Sequence, residues 1–175
     1  MPDGHSEPSD QALLCLAQQL GDVLRINGLL LATAESCTGG WIGQAVTAVP
    51  GSSGWYDRGF ITYSNLAKQQ MLTVQSVTLK TFGAVSEQTA REMAQGALKM
   101  SAAQVAVAVT GIAGPDGGSV AKPVGTVCFG WIVKDRLLNS ATCLCKGDRE
   151  TIRRQAVATG LQGTLDLLQS HSQLA

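Results

Sequence analysis

Apolar residues recur every three to four positions near both ends of the chain, which is the spacing of a helix with one buried face. The first such stretch runs from Leu13 to Ile26 and predicts a helix capped by Asp10 and stopped by Asn27 and Gly28. The last stretch begins at Asp148 and carries apolar residues as far as Leu168. Amphipathic helices therefore open and close the predicted fold.

Between these helices, short apolar runs alternate with further helical stretches. The predicted strands cover residues 29–34, 59–63, 105–109, 124–133 and 138–145. The predicted inner helices cover residues 41–49, a short stretch capped by Asn65, and residues 87–100 capped by Ser86. The last two strands form a hairpin that bends near Lys134 and Asp135. This order predicts an α/β fold, a three-layer α/β/α sandwich around a mixed sheet of about five strands.

The same pattern predicts one domain. The interior holds no repeat and no Pro- or Ser-rich linker, so a single domain over residues 10–170 is the simplest partition. Residues 1–9 are polar and contain proline, which predicts a disordered tail.

Composition argues against several kinds of partner and site. Thirteen basic and thirteen acidic residues leave no net charge, so no overall field attracts nucleic acid or an anionic membrane. No apolar run approaches the roughly 20 residues that cross a bilayer. Five cysteines without a C-x-x-C pair argue against a disulfide framework and a zinc site, and favour a reducing cytoplasm.

The positions of the histidines limit which catalytic bases and metal ligands the chain can supply. The chain has two, His5 and His171, and both lie close to its ends. This disfavours hydrolases that use a histidine base and metal sites that use histidine ligands. A nucleophile in this chain needs another base, and lysine can serve where burial or a cationic neighbour lowers its pKa from about 10.4 toward neutrality.

Two glycine turns follow predicted strands, where ligands collect in open α/β sheets. The first, residues 36–40, places Ser36 just before a helix, where backbone N–H groups could stabilise an oxyanion after its attack. The alternative is that Ser36 only caps the helix, and Cys37 beside it fits a small buried residue. The second turn, residues 110–118, has neither the dinucleotide nor the P-loop spacing, and could equally be a mobile surface connection.

Cations cluster where the last helix begins. Arg149 and Arg153 share one face of that helix, and basic residues at a helix start oppose its dipole, which favours a nearby anion. The alternative is a solvated face whose charges pair with Asp148 and Glu150.

Lys68 is the candidate base, and two serines could be its partner. Ser64 lies one helical turn before Lys68, whereas Ser36 can reach Lys68 only through the fold.

Six segments in series resemble one known family. They are AESCTGGW (34–41), RGFITYSNLAK (58–68), GAVSEQTA (83–90), TGIAGPDGGS (110–119), KPVGTV (122–127) and GDRETIRRQA (147–156). Together they closely resemble the CinA carboxy-terminal domain family over nearly the whole chain after its first ten residues. The resemblance implies hydrolysis of the amide of nicotinamide mononucleotide to nicotinic acid mononucleotide and ammonia, in pyridine-nucleotide salvage.

The resemblance also implies site residues. The family is described as a Ser/Lys hydrolase that needs no metal or other cofactor, and its serine and lysine fall on Ser36 and Lys68, with Tyr63 as the hydroxyl that orients or relays the proton. The candidate substrate-binding residues are Thr38, Gly39, Gly40, Thr110, Gly111, Arg149 and Arg153. We expect a homo-oligomer that binds this small mononucleotide. The alternative is a non-catalytic nucleotide-binding or competence-associated module of the same fold.

Overall fold

The computed structural model describes residues 7–134 and 137–172. The helices are α1 (Asp10–Ile26), α2 (Trp41–Thr47), α3 (Asn65–Leu72), α4 (Ser76–Phe82), α5 (Glu87–Lys99) and α6 (Arg149–Ser172), with a 3₁₀ turn at Ser52–Gly54. The strands are β1 (Leu31–Glu35), β2 (Tyr56–Ile61), β3 (Val105–Gly111), β4 (Thr126–Val133) and β5 (Leu137–Leu144).

The five strands form one mixed sheet, as predicted, and their order in it is β2-β1-β3-β4-β5. β1 lies parallel to both β2 and β3, and β4 and β5 continue the sheet as antiparallel neighbours. Glu35, the last residue of β1, is paired with Ile61 on one side and Val109 on the other. The carboxyl ends of three parallel strands therefore meet at one edge of the sheet, and the residues that follow β1 lie between the other two strand ends.

Helices cover both faces of the sheet, which confirms the three-layer sandwich. The alternation of valine and alanine in β3 shows how the two faces differ. Val105, Val107 and Val109 pack into the larger core with α1, α2 and α6. The intervening alanines, Ala106 and Ala108, face a second core with α3, α4 and α5. Small side chains on that face let α5 lie close to the sheet.

Two predicted helix caps were off by one residue. Ser9, not Asp10, caps α1, because its hydroxyl accepts a hydrogen bond from the N–H of Ala12 (3.1 Å). Ser64, not Asn65, caps α3 in the same way, with the N–H of Ala67 at 3.0 Å. In both cases a serine beside a second good capping residue takes the role, and the spacing of apolar residues could not choose between them.

Helix α4 was not predicted, and β2 begins three residues earlier than expected. α4 has seven residues and no side-chain cap, so it carries few of the signals that mark a helix in sequence. The early part of β2 contains Asp57 and Arg58, which suit an edge strand but interrupt its apolar pattern.

Some expectations lie outside the described residues. These include residues 1–6 of the predicted tail with His5, the Asp135 half of the predicted bend, and the side chain of His171. Within the described part of the chain, no helix combines the length and the apolar character needed to span a bilayer.

Candidate active site

A buried carboxylate holds the turn that follows β1. Glu35 is 1% exposed, and its two oxygens accept hydrogen bonds from the N–H groups of Gly40 (3.0 Å), Ile42 (3.0 Å) and Gly43 (2.9 Å). These are the orphan donors at the start of α2, whose first residues have no hydroxyl cap. Capping is therefore the role of Glu35, and the alternative in which Ser36 only caps the helix is wrong.

Ser36 and Lys68 meet at this edge of the sheet. The Lys68 ammonium donates a hydrogen bond to the Ser36 hydroxyl (2.9 Å) and another to the carbonyl of Thr62 (2.8 Å). Lys68 is 1% exposed, and burial lowers the pKa of its side chain from 10.5 to about 8. Ser64 is engaged as the cap of α3, so Ser36 is the serine that contacts the lysine.

The cysteine beside Ser36 is not a competing nucleophile. Burial raises the pKa of the Cys37 thiol to about 12, so the sulfur stays protonated near neutral pH. Thiolate is the reactive form of cysteine. Cys37 instead packs into the larger core, as the sequence predicted.

The N–H groups of the turn divide into occupied and available donors. The N–H of Gly39 donates to the carbonyl of Ser36 (3.0 Å), and that of Gly40 to the buried carboxylate. The N–H groups of Cys37 and Thr38 donate to no other residue that the structure describes. The donors open to a ligand oxygen are therefore those of Cys37 and Thr38 rather than those of the two glycines.

Both glycines are still required by the shape of the turn. Gly39 has φ +64° and Gly40 has φ +98°, a region that residues with a Cβ rarely adopt. A Cβ on Gly40 would also lie 2.9 Å from the Ile61 side chain at the end of β2. The two glycines therefore allow the backbone path of the turn, and their contact with substrate stays a prediction.

Arg153 reaches the same turn from α6. Its Nε donates to the carbonyl of Cys37 (3.0 Å) and its Nη2 to the carbonyl of Thr38 (2.9 Å). The guanidinium also lies over the ring of Trp41, 5.2 Å from its centre. Arg153 was predicted as a substrate ligand, but two of its donor atoms are occupied by the backbone.

Arg149 and Tyr63 form a separate pair. Nη2 of Arg149 donates to the Tyr63 hydroxyl (3.0 Å), and Nη1 donates to the carbonyl of Gly114 (2.8 Å) in the second glycine turn. Tyr63 is 62% exposed, and its hydroxyl contacts Arg149 rather than Ser36 or Lys68. Its role in orienting or relaying the proton stays a prediction.

A cleft of about 590 Å³ lies beside the turn. Its lining includes five of the predicted binding residues, namely Thr38, Gly39, Gly40, Arg149 and Arg153. Ser36 and Lys68 do not line it. Ser36 keeps 8% of its surface exposed, two residues from Thr38 in the cleft wall.

Thr110 and Gly111 lie at the end of β3, next to the strand end that carries Ser36. The buried Thr110 hydroxyl donates to the carbonyl of Ala84 (2.9 Å), and Gly111 packs so closely on β4 that a Cβ would lie 2.9 Å from the carbonyl oxygen of Thr126. Both residues have structural partners, and their contact with substrate stays a prediction.

Two polar groups at this site were not identified from the sequence. One is Glu35, whose signal was available: an acid that ends a buried strand just before a helix without a hydroxyl cap. The other is the hydroxyl of Thr62, which is buried without a hydrogen-bond partner, as is the hydroxyl of the predicted binding residue Thr38. Their burial depends on how β1, β2 and α6 come together, and no local pattern reveals it.

Comparison with known proteins places this geometry in a family. The sequence matches the model of the CinA C-terminal domain over residues 14–168. A solved structure of competence/damage inducible protein CihA from Agrobacterium tumefaciens has 46% identity and a TM-score of 0.87, covering 94% of this chain and 98% of that one.

Three curated relatives match along most of their length. One from Enterobacter agglomerans, named nicotinamide-nucleotide amidohydrolase PncC, is 51% identical over 157 residues, covering 90% of this chain and 96% of the relative. Relatives of the same name from Escherichia coli K12 and Pseudomonas putida are 50% and 49% identical, covering 88% and 87% of this chain and 93% and 94% of the relatives. The chain belongs to the CinA C-terminal domain family.

Proposed function

We propose that this protein hydrolyses the carboxamide of nicotinamide mononucleotide to give nicotinic acid mononucleotide and ammonia, in pyridine-nucleotide salvage. Relatives named for this type of reaction share about half of their residues with the chain over more than 90% of their own length. The observation that carries the chemistry is the buried contact of 2.9 Å between Lys68 and Ser36.

Lys68 acts as the base in the proposed reaction. With a pKa of about 8, Lys68 is neutral in roughly a tenth of the molecules at pH 7, whereas an ordinary lysine is almost fully charged. Neutral Lys68 accepts the Ser36 proton as the serine oxygen bonds to the carboxamide carbon. The new oxyanion accepts hydrogen bonds from the N–H groups of Cys37 and Thr38.

Collapse of the tetrahedral intermediate breaks the carbon–nitrogen bond, and Lys68 returns its proton to the departing ammonia. Water then attacks the ester at Ser36, with neutral Lys68 accepting a proton from that water. Release of the carboxylate restores the serine hydroxyl. The sequence of steps uses only groups that the fold already brings together.

Arg149 is the proposed phosphate ligand. It lines the cleft beside the turn and is fixed there by Tyr63 and the carbonyl of Gly114. A guanidinium at the start of α6 also places its charge with the positive end of the helix dipole, an arrangement that an anionic ligand stabilises. Tyr63 is proposed to orient Arg149 as well as to serve the proton path.

Replacing Arg149 by alanine is expected to affect the mononucleotide selectively. A charge-assisted hydrogen bond contributes about 1.5–3 kcal/mol, so KM for the mononucleotide should rise roughly 10- to 150-fold. The riboside shares the amide and the sugar but lacks the phosphate, and its kcat/KM should barely change. Initial rates of ammonia release with both compounds provide the measurement. Equal losses on both would mean that Arg149 supports the loop at Gly114 instead.

Burial of Lys68 should also make the free energy of unfolding depend on pH. Its pKa is about 8 in the folded protein and near 10.5 unfolded, so the unfolded chain binds more protons between these values. The free energy of unfolding should therefore rise with pH across that window, by about 3 kcal/mol. Lys68→Met should lack this rise, whereas a Lys99→Met control at the exposed end of α5 should keep it. Denaturant unfolding at pH 7.5 and 10.5 measures the difference, and parallel pH dependences in wild type and Lys68→Met would contradict a neutral buried lysine.

The cytoplasm is the proposed location, supported by five cysteines that are all free in the structure. The single domain and the homo-oligomer remain predictions. Release of ammonia from nicotinamide mononucleotide by the purified chain tests the proposed function. No release, with the fold intact, would favour the non-catalytic nucleotide-binding module.

A further inference from the structure

We propose that Arg153 is a positioning residue for the oxyanion site, which deepens the proposed function and rests on it. Its guanidinium holds the peptide between Cys37 and Thr38 so that the Thr38 N–H is free to receive the substrate oxygen. Arg153 therefore has a different role from Arg149, the proposed phosphate ligand, although the two residues lie on one face of α6.

A hydrogen bond from Arg153 fixes the direction of the peptide between Cys37 and Thr38. Nε of Arg153 donates to the carbonyl of Cys37 at 3.0 Å. In a planar trans peptide the C=O and the following N–H point in opposite directions. The N–H of Thr38 therefore points away from the guanidinium. A cation on the carbonyl also polarises the peptide, which makes that N–H a stronger donor.

Arg153 forms a two-bond fork with the turn, and the second of these hydrogen bonds prevents the peptide from rotating. Nη2 of Arg153 donates to the carbonyl of Thr38 at 2.9 Å, so one rigid, planar group holds two consecutive carbonyls. The guanidinium itself is held over the ring of Trp41. The orientation of the turn is thus imposed by α6, more than a hundred residues away in sequence.

Thr38 carries two polar groups that no residue in the described part of the chain satisfies. Its N–H donates to no other residue in the described part of the chain. Its hydroxyl is fully buried and has no hydrogen-bond partner. Buried polar groups are nearly always paired in folded proteins. Two such groups on one residue, two positions after Ser36, fit a site for the oxygen that becomes negative during the reaction.

Stability alone does not require a cation here. Glu35 already anchors the start of α2 through three hydrogen bonds, and Gly39 closes the turn on the carbonyl of Ser36. A positive charge beside the first turn of a helix opposes the helix dipole. That placement becomes favourable when negative charge develops at the turn, which is what the attack of Ser36 would produce.

Arg153→Lys tests the proposal because it keeps the charge but cannot form the fork. We expect kcat for the mononucleotide to fall about 10- to 100-fold with KM changed less than about threefold, less than the roughly 10²- to 10³-fold cost of deleting a donor. Arg154→Lys is the matched control, since Arg154 lies over the same Trp41 ring (4.9 Å) and donates to Glu150 rather than to the turn. Its kcat should stay within about twofold. A rise in KM with kcat unchanged would overturn the proposal and make Arg153 a substrate ligand.

A second measurement does not depend on turnover. The ¹⁵N resonance of the Thr38 amide reports the hydrogen bond on the preceding carbonyl and should shift upfield in Arg153→Lys, while the Gly43 amide, held by Glu35, should not move. An unchanged Thr38 resonance in a folded variant would overturn the positioning role. Absence of ammonia release by the wild type, with the Thr38 shift observed, would instead count against the proposed function alone.

Discussion

Ser36→Ala should abolish ammonia release from nicotinamide mononucleotide while the protein remains folded. Without the hydroxyl no ester can form, and loss of the nucleophile in a serine hydrolase lowers kcat by several orders of magnitude, here expected to be at least about 10⁴-fold. The fold should survive because Glu35, rather than Ser36, caps α2. Steady-state rates at pH 8 and thermal unfolding of the same samples measure the two effects separately.

Ser64→Ala provides the comparison. Ser64 is the other serine near Lys68 in sequence, but its hydroxyl caps α3. Its loss should lower the free energy of unfolding by about 0.5–2 kcal/mol and reduce activity only mildly. Turnover near the wild-type rate in a folded Ser36→Ala protein would remove Ser36 from the mechanism, and a complete loss in Ser64→Ala would reverse the assignment.

The second large effect is expected at Lys68. Lys68→Arg keeps a positive charge, but arginine does not deprotonate in proteins, so general-base catalysis is lost. We expect kcat to fall by about 10²- to 10⁴-fold. Wild-type kcat should rise with pH toward a plateau above about 8, as Lys68 becomes neutral, and the residual activity of the variant should lack this rise.

Lys68→Arg could lose activity through poor packing alone, because its larger guanidinium must fit where the Lys68 side chain is fully buried. Lys68→Met is the control for this effect. Methionine fills a similar volume without a charge, and the variant should be equally inactive while folding normally. Either variant working at near wild-type rates with saturating substrate would show that Ser36 uses another base.

The fold was largely predictable from the sequence because its main signals are local. Helix α1 shows the apolar spacing of one buried face, and the valine–alanine alternation of β3 belongs to a buried strand. The exceptions, α4 and the first residues of β2, are short or charged and carry little pattern. Their positions are set by packing against the rest of the fold.

The site was predictable only in part. The sequence indicated Ser36 from its glycine turn and Lys68 from the absence of a usable histidine, and the family resemblance joined them. Their contact depends on parallel pairing between β1 and β2, which brings residues 32 positions apart to one sheet edge. The hydrogen bond from Arg153 to the carbonyl of Cys37 joins residues that are even further apart in sequence. The charge of Arg153 could be read from the sequence, but the backbone carbonyl that it contacts could not.

The proposed reaction cleaves the amide through an ester on Ser36. The most direct measurement is product analysis of nicotinamide mononucleotide turnover with hydroxylamine present, because an acyl-enzyme divides between water and this better nucleophile. We expect the wild-type protein to form both nicotinic acid mononucleotide and the corresponding hydroxamate, in a ratio that follows the hydroxylamine concentration, and Ser36→Ala to form neither. Nicotinic acid mononucleotide alone, at every hydroxylamine concentration, would contradict it.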